Sequence, residues 1–172
     1  MKPARLVALV VLAGCQGSQA PQQQATPTGL EAAAIQAGII PDPASTDITG
    51  LYVRESDRVC IVPSATAYRI GVTIDYDDTE RCSGSGVVTR DGETLHVTFD
   101  APRSSGSCRF DARFEGDRIV FPGRLPNECQ ALCQDRASIA GLALDRLSDS
   151  TSEASTLRDP RGKLLCGDAP RP

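Results

Sequence analysis

Alternation with period two between residues 68 and 115 constrains this chain more than any other feature of its sequence. In "YRIGVTID" Tyr68, Ile70, Val72 and Ile74 point one way, and Arg69, Thr73 and Asp75 the other. In "TLHVTF" Leu95, Val97 and Phe99 oppose Thr94, His96 and Thr98. In "SCRFDARFE" Cys108, Phe110, Ala112 and Phe114 oppose Arg109, Asp111, Arg113 and Glu115. Such a pattern belongs to antiparallel strands with one face dry and one wet. The segments "YDDTE", "RDGE", "PRSSG" and "EGD" supply turns at close spacing. Further short strands are expected at 50–54, 59–62, 86–90 and 118–121. The segment 138–144 reads as another strand, although Ile139, Leu142, Ala143 and Leu147 also fit a helix. So many short strands in succession manage their edges best by closing. The expected fold is mainly β: a small antiparallel β-barrel or barrel-like sandwich of seven to eight strands, filling one domain over 46–168.

Short helices decorate it. Thr28 and Glu31 have capping-box spacing, "LEAAAIQA" follows, and Gly38 and Pro41 stop the helix, so one is expected within 28–41, over about 29–37. Leu30, Ile35, Ile39 and Ile40 would dock it on the body. In the middle helix "PNECQALCQD", Asn127 is a candidate cap and Cys129, Leu132 and Cys133 share a face. A C-terminal helix opens with the capping box Ser150 to Glu153 and runs to about Arg158.

The chain begins with Lys2 and Arg5, eight apolar residues from Leu6 to Ala13, and then Gly14 and Cys15. The apolar run is far shorter than the roughly 20 residues that span a bilayer. "LAGC" resembles the lipobox of bacterial lipoproteins. The resemblance implies a signal peptide over 1–14 and a lipid on the sulfur of Cys15, which becomes the mature N-terminus. It also implies attachment to a membrane through that lipid and, from Gln16 after the cysteine, location at the outer membrane, on its periplasmic face. Residues 15–27 read as a tether, because 16–27 hold five Gln and two Pro with no charge and no large apolar side chain. Twelve such residues average about 20 Å end to end.

Setting Cys15 aside leaves Cys60, Cys82, Cys108, Cys129, Cys133 and Cys166, an even number that in an exported domain reads as a disulfide framework. Cys129 and Cys133 are too far apart on a regular helix to join each other, so each should staple that helix to a different strand or tail. Cys133 is the partner expected for Cys166.

From Cys15 onward the chain carries 16 basic and 22 acidic side chains, a net charge of −6, and it has no Trp. That balance argues against nucleic acid or an anionic membrane face as a partner, and the few aromatic residues argue against nucleic acid as well. The only histidine, His96, takes the wet face by parity, and no Gly-x-Ser-x-Gly elbow accompanies "SGSG" at 83–86 or "SSGS" at 104–107. "DYDDTE" lacks the glycine of a calcium loop, with Glu80 in its place. No catalytic residue, no metal ligand and no cofactor is assigned, and the chain reads as no enzyme.

Gly50-Leu51-Tyr52 at the first strand, Cys60, an alternating strand, Cys82 and a strand ending "TRDG" make residues 50–92 similar to the first half of the periplasmic inhibitors of alkaline metalloproteases, although Tyr52 stands where that family has Trp. That resemblance implies a small β-barrel and a disulfide from Cys60 to Cys82. The function expected is a non-enzymatic, lipid-anchored envelope lipoprotein presenting a rigid β-domain to a periplasmic protein. Two alternatives accompany it: inhibition of an envelope-damaging hydrolase such as a protease or lysozyme, and carriage of a small apolar ligand among Phe99, Phe110, Phe114 and Phe121.

Overall fold

The computed structural model of the chain describes residues 29–40, 42, 46–77, 79–100 and 106–167. Residues 1–14, expected as a signal peptide, Cys15, the expected tether up to residue 27, and Thr28 and Pro41 lie outside the described residues. Eight strands form one closed barrel: β1 (Gly50–Arg54), β2 (Asp57–Pro63), β3 (Tyr68–Asp75), β4 (Arg81–Asp91), β5 (Thr94–Phe99), β6 (Cys108–Phe114), β7 (Arg118–Val120) and β8 (Ala143–Ser148). Every strand pairs antiparallel with the next, and β8 returns to β1. Eight strands enclose an interior just wide enough for side chains to fill. Tyr52, Ile61, Ile70, Ile74, Leu95, Phe99, Phe114 and Ile119 fill it and are fully buried. Register follows parity, with Val59 opposite Val72 and Val97 opposite Phe110, so a one-residue slip would turn these side chains out to water.

The eighth strand lies later than 138–144: it starts at Ala143, while Ile139 and Leu142 are buried in the approach to it. Gly141, at φ 71°, turns the chain just before the pairing starts. The segment "SGSG", residues 83–86, lies within β4. A Cβ on Gly84 would come 3.0 Å from Leu132 Cδ2 and 3.5 Å from Phe99 Cδ1, so the bare glycine lets Leu132 descend onto the core.

The face of β3 expected to be wet is partly covered. Thr73 is buried and Arg69 half-buried, and the chain beyond β8 folds back over the outside of the barrel at Arg69 and Gly71. There Cys60, Val62, Ala154, Leu165 and Cys166 form a second apolar layer, with Leu51 and Leu157 at its rim. A Cβ on Gly71 would lie 2.5 Å from Leu165 Cβ and 2.8 Å from Cys60 Sγ, which is why the strap can lie so close.

The helices are shorter than expected. The first, α1 (Leu30–Gln36), has no fully buried residue: Ile35 is half-buried, while Leu30, Ile39 and Ile40 are exposed, so the docking expected for those three does not occur. Residues 127–132 form a 3-10 helix that Pro126, not Asn127, caps, and the chain turns extended at Cys133. The C-terminal helix is a single turn, α2 (Thr151–Ala154); as its sequence implies, the Ser150 hydroxyl accepts from the Glu153 N–H at 3.3 Å.

The disulfides are Cys60–Cys166, Cys82–Cys133 and Cys108–Cys129. Neither the Cys60–Cys82 bond implied by the inhibitor resemblance nor the Cys133–Cys166 bond is formed. The reason is strand parity. Cys60 points outward, toward the strap, whereas Cys82 belongs to the inward set with Val88 and meets the segment that follows the 3-10 helix. The two cysteines of that segment do staple it to different strands, β4 and β6.

Candidate functional site

The barrel has two ends, closed by different chemistry. At the lead-in end residues 46–49 enter β1, and the hairpins β2–β3, β4–β5 and β6–β7 turn back. At the far end lie the turns β1–β2 and β3–β4, the loop between β5 and β6, and the long connection from β7 to β8 that contains the 3-10 helix.

The far end is built on three aromatic rings. Phe110 lies 6.1 Å from Phe99 and 5.0 Å from Phe121, the latter edge-on, and the geometry suits their quadrupoles. Over them sit Leu132 and the 3-10 helix. Cys129 ties that helix to the first residue of β6, and Cys133 ties its exit to the second residue of β4. The Gln134 N–H donates to the Arg81 carbonyl at 2.8 Å, extending the sheet beyond Cys133. Arg136 reaches across to Glu80 at 2.9 Å. Two grooves flank the helix. One, of about 380 Å³, runs between it and residues 135–140; the other, of about 420 Å³, lies between it and the strap, where Ser83, Ser85, Arg161 and Lys163 line it.

The "DYDDTE" segment also stands at this end, as a hairpin turn. Asp77 Oδ1 accepts from the N–H groups of Thr79 and Glu80 at 2.7 Å and from the Thr79 hydroxyl at 2.9 Å. The Glu80 and Thr79 backbone donors hold its carboxyl below the usual range. Among the described residues no cluster of His, Cys, Asp and Glu could hold a metal ion.

The lead-in end has no covalent bolt. Its lid is two arginines, at inward positions that alternation gives to apolar side chains: Arg90 follows Val88 in β4, and Arg146 follows Leu144 in β8. Arg90 lies 4.9 Å from the Phe114 ring centroid, and Arg146 lies 5.3 Å from that of Tyr52 and 5.5 Å from that of Phe114. Their outer atoms donate to main-chain carbonyls of the rim. Arg146 reaches Asp47 at 2.5 Å and Gly116 at 3.2 Å, and Arg90 reaches Gly92 at 2.6 Å and also Thr46. Beneath them the Tyr52 hydroxyl donates to the Ile48 carbonyl at 2.8 Å, and burial pushes its pKa up to about 12.

The six domain cysteines expected as staples therefore gather at two places, four at the far end and two under the strap, while Cys15 lies outside the described residues. His96 is on the outer wall as parity requires, 2.7 Å from Asp111, its cross-strand partner. The outer face of β7 and β8 is likewise paired, Arg118 to Asp145 at 2.6 Å. Reading the sequence for apolar alternation missed Arg90 and Arg146. The signal was present: each is a charge at an inward position near a strand end, where its stem can cover the core and its head reach the rim. No protein family, no curated protein and no solved structure matches the chain.

Proposed function

We propose that the protein is a non-enzymatic lipoprotein of the cell envelope, anchored to the periplasmic face of the outer membrane by a lipid on Cys15, and that it offers the far end of its barrel to a periplasmic protein. The observation that carries this reading is the placement of two disulfides and the 3-10 helix at the end opposite the one where the N-terminal lead-in joins the barrel. A surface held by covalent bonds loses little conformational entropy when a partner seats on it. On the outer wall of β5–β8 the charges of His96 and Asp111, Arg113 and Glu115, and Arg118 and Asp145 are already paired with one another, so the grooves beside the 3-10 helix are the better supported contact.

The test has two parts. Membrane fractionation of the wild type and Cys15→Ala reads the anchor: the wild type is expected in the outer membrane and the variant in the soluble periplasm. A photo-crosslinker introduced in cells at Gln130 or Arg136 is expected to yield an adduct that the same group at Val87, on the β4 outer wall, does not. A hydrolase in that adduct would sharpen the interaction to inhibition. Wild type in the soluble fraction overturns the anchor, and adducts spread equally over all three positions overturn the choice of end.

A further inference from the structure

The first helix ends properly, buries none of its residues fully, and leaves only Ala32, Ala34 and Ile35 half-buried. Gly38 N–H donates to the Ile35 carbonyl and Ile39 N–H to the Ala34 carbonyl, both at 2.9 Å, the paired bonds of a Schellman stop. A stop of this kind usually packs the residue after its glycine against the helix. Here that residue, Ile39, is 76 % exposed, Leu30 is 91 % exposed and Ile40 is 38 % exposed. A seven-residue helix is well below the roughly 12 to 15 residues that persist alone in water, so helical structure here calls for a surface to lie on.

Charge and reach identify the surface. Between Gln16 and Pro41 the only charged side chain is Glu31, in a chain of which 23 % is charged. A segment so poor in charge can enter a lipid interface without desolvating ions. Its helix starts fifteen residues after Cys15, a span of about 20 Å for a flexible chain. On the lipidation proposed above, on which this inference rests, the helix is therefore confined near the bilayer by its own tether. We infer that α1 and the Gly38–Ile40 turn lie in the headgroup region of the anchoring bilayer, with Leu30, Ile39 and Ile40 at the apolar boundary. The bilayer rather than the barrel is the docking surface of this helix, and the barrel is carried on the far side of it.

The chain contains no tryptophan, so one introduced residue reports alone. The full-length protein purified from its membrane is reconstituted in vesicles of phosphatidylethanolamine and phosphatidylglycerol, with and without dibrominated phosphatidylcholine, and its denatured mass is taken from the same sample. Ile39→Trp is expected to emit at shorter wavelength than Val87→Trp and to lose most of its intensity to the brominated lipid, which leaves Val87→Trp unquenched. Adding Leu30→Asp and Ile40→Asp to Ile39→Trp is expected to abolish the quenching. Three outcomes overturn the inference for a protein whose mass includes the lipid. They are emission from Ile39→Trp like that of Val87→Trp, a short-wavelength emission that brominated lipid does not quench, as when another protein covers the helix, and quenching that survives both aspartates. A mass without lipid overturns the inference and the anchor together, so the two failures are told apart.

Discussion

The two ends of the barrel solve one problem in two ways. Each must shield an aromatic floor from water while letting loops return. The far end does so with covalent bonds, Cys82–Cys133 and Cys108–Cys129, that lower Leu132 onto Phe99. The lead-in end does so with the cations of Arg90 and Arg146, laid over Phe114 and Tyr52 and held by carbonyls of the rim. The difference follows from what lies above each floor. The long connection between β7 and β8 has few strand partners and needs bolts to stay over the core. The lead-in end has short hairpins and the entering residues 46–49, whose carbonyls at Gly92, Gly116, Thr46 and Asp47 are acceptors in the right place for guanidinium groups. The first lid needs an oxidising compartment; the second is made of side chains alone.

The largest effect expected is at the bolts. The bond between Cys82 and Cys133 spans 51 residues and that between Cys108 and Cys129 spans 21. Constraining the unfolded chain over such loops is worth about 4 and about 3 kcal/mol respectively in the chain-entropy account. Paired substitution to alanine, Cys82→Ala with Cys133→Ala, should therefore lower the unfolding free energy more than Cys108→Ala with Cys129→Ala. Denaturant titration measures both, and equal losses would place the stabilisation in packing by the 3-10 helix rather than in loop closure.

The next effect tests the other lid. Arg146→Met keeps the stem over Tyr52 and Phe114 but removes the charge and the bonds to Asp47 and Gly116. A loss of about 2 kcal/mol is expected, combining cation–π contact and charged hydrogen bonds. The loss should persist in a reducing buffer, whereas the effect of the cysteine substitutions should vanish there. Amide exchange sharpens the contrast: Arg146→Met should speed exchange at the lead-in end and leave residues 129–134 as slow as in the wild type.

Under that lid Tyr52 gives a pH signature. Its hydroxyl is neutral and hydrogen-bonded in the fold, where its pKa is about 12 against an ordinary value of 10.0. Because the folded form holds the proton more tightly, this stability is complete below pH 10 and is lost as pH rises from there through about 12. Tyr52→Phe should cost about 1 kcal/mol at neutral pH for the lost bond to Ile48 and should flatten the alkaline loss. Thermal unfolding across pH 8–12 measures it, and parallel curves for the two proteins would assign the alkaline transition elsewhere.

Much of the barrel was legible because its code is local. Alternation in 68–75, 94–99 and 108–114 depends only on which side chains neighbour one another along a strand, and β3, β5 and β6 carry those bounds. The capping box at Ser150 was legible for the same reason. What escaped was decided by residues distant in sequence. Cys60 pairs with Cys166 because a strap of the C-terminal chain returns across Gly71, and nothing near Cys60 signals it. Arg90 and Arg146 break the alternation, and only the closure of β8 on β1 brings both over the same ring. The start of β8 at Ala143 depends likewise on pairing with β1 and β7, not on the helical or strand preference of 138–144.

The smallest effect expected has the opposite sign and lies at the covalently closed end. Asp57 opens β2 after the two-residue turn Glu55–Ser56, where Glu55 adopts φ 53°. Its side chain is 2 % exposed, one oxygen is 3.4 Å from Arg54, and the other has no hydrogen-bond partner among the described residues. Burial raises its pKa, with the Arg54 charge only partly countering the effect. A carboxyl whose folded pKa is raised favours the fold while it is protonated, and that contribution is lost as pH rises from the unfolded value through the folded one. At neutral pH Asp57 is thus a strained charge, and Asp57→Asn, which keeps the shape and removes the ion, should raise the unfolding temperature slightly at pH 7. The gain should shrink as pH falls through the raised folded pKa and disappear below the ordinary carboxyl value of 3.8, where the carboxyl is protonated in both states. A gain independent of pH would mean that the amide finds a new partner. A loss at pH 7 would show the Arg54 pair outweighing the burial of the charge, and would give the far end an electrostatic clasp beside its two bolts.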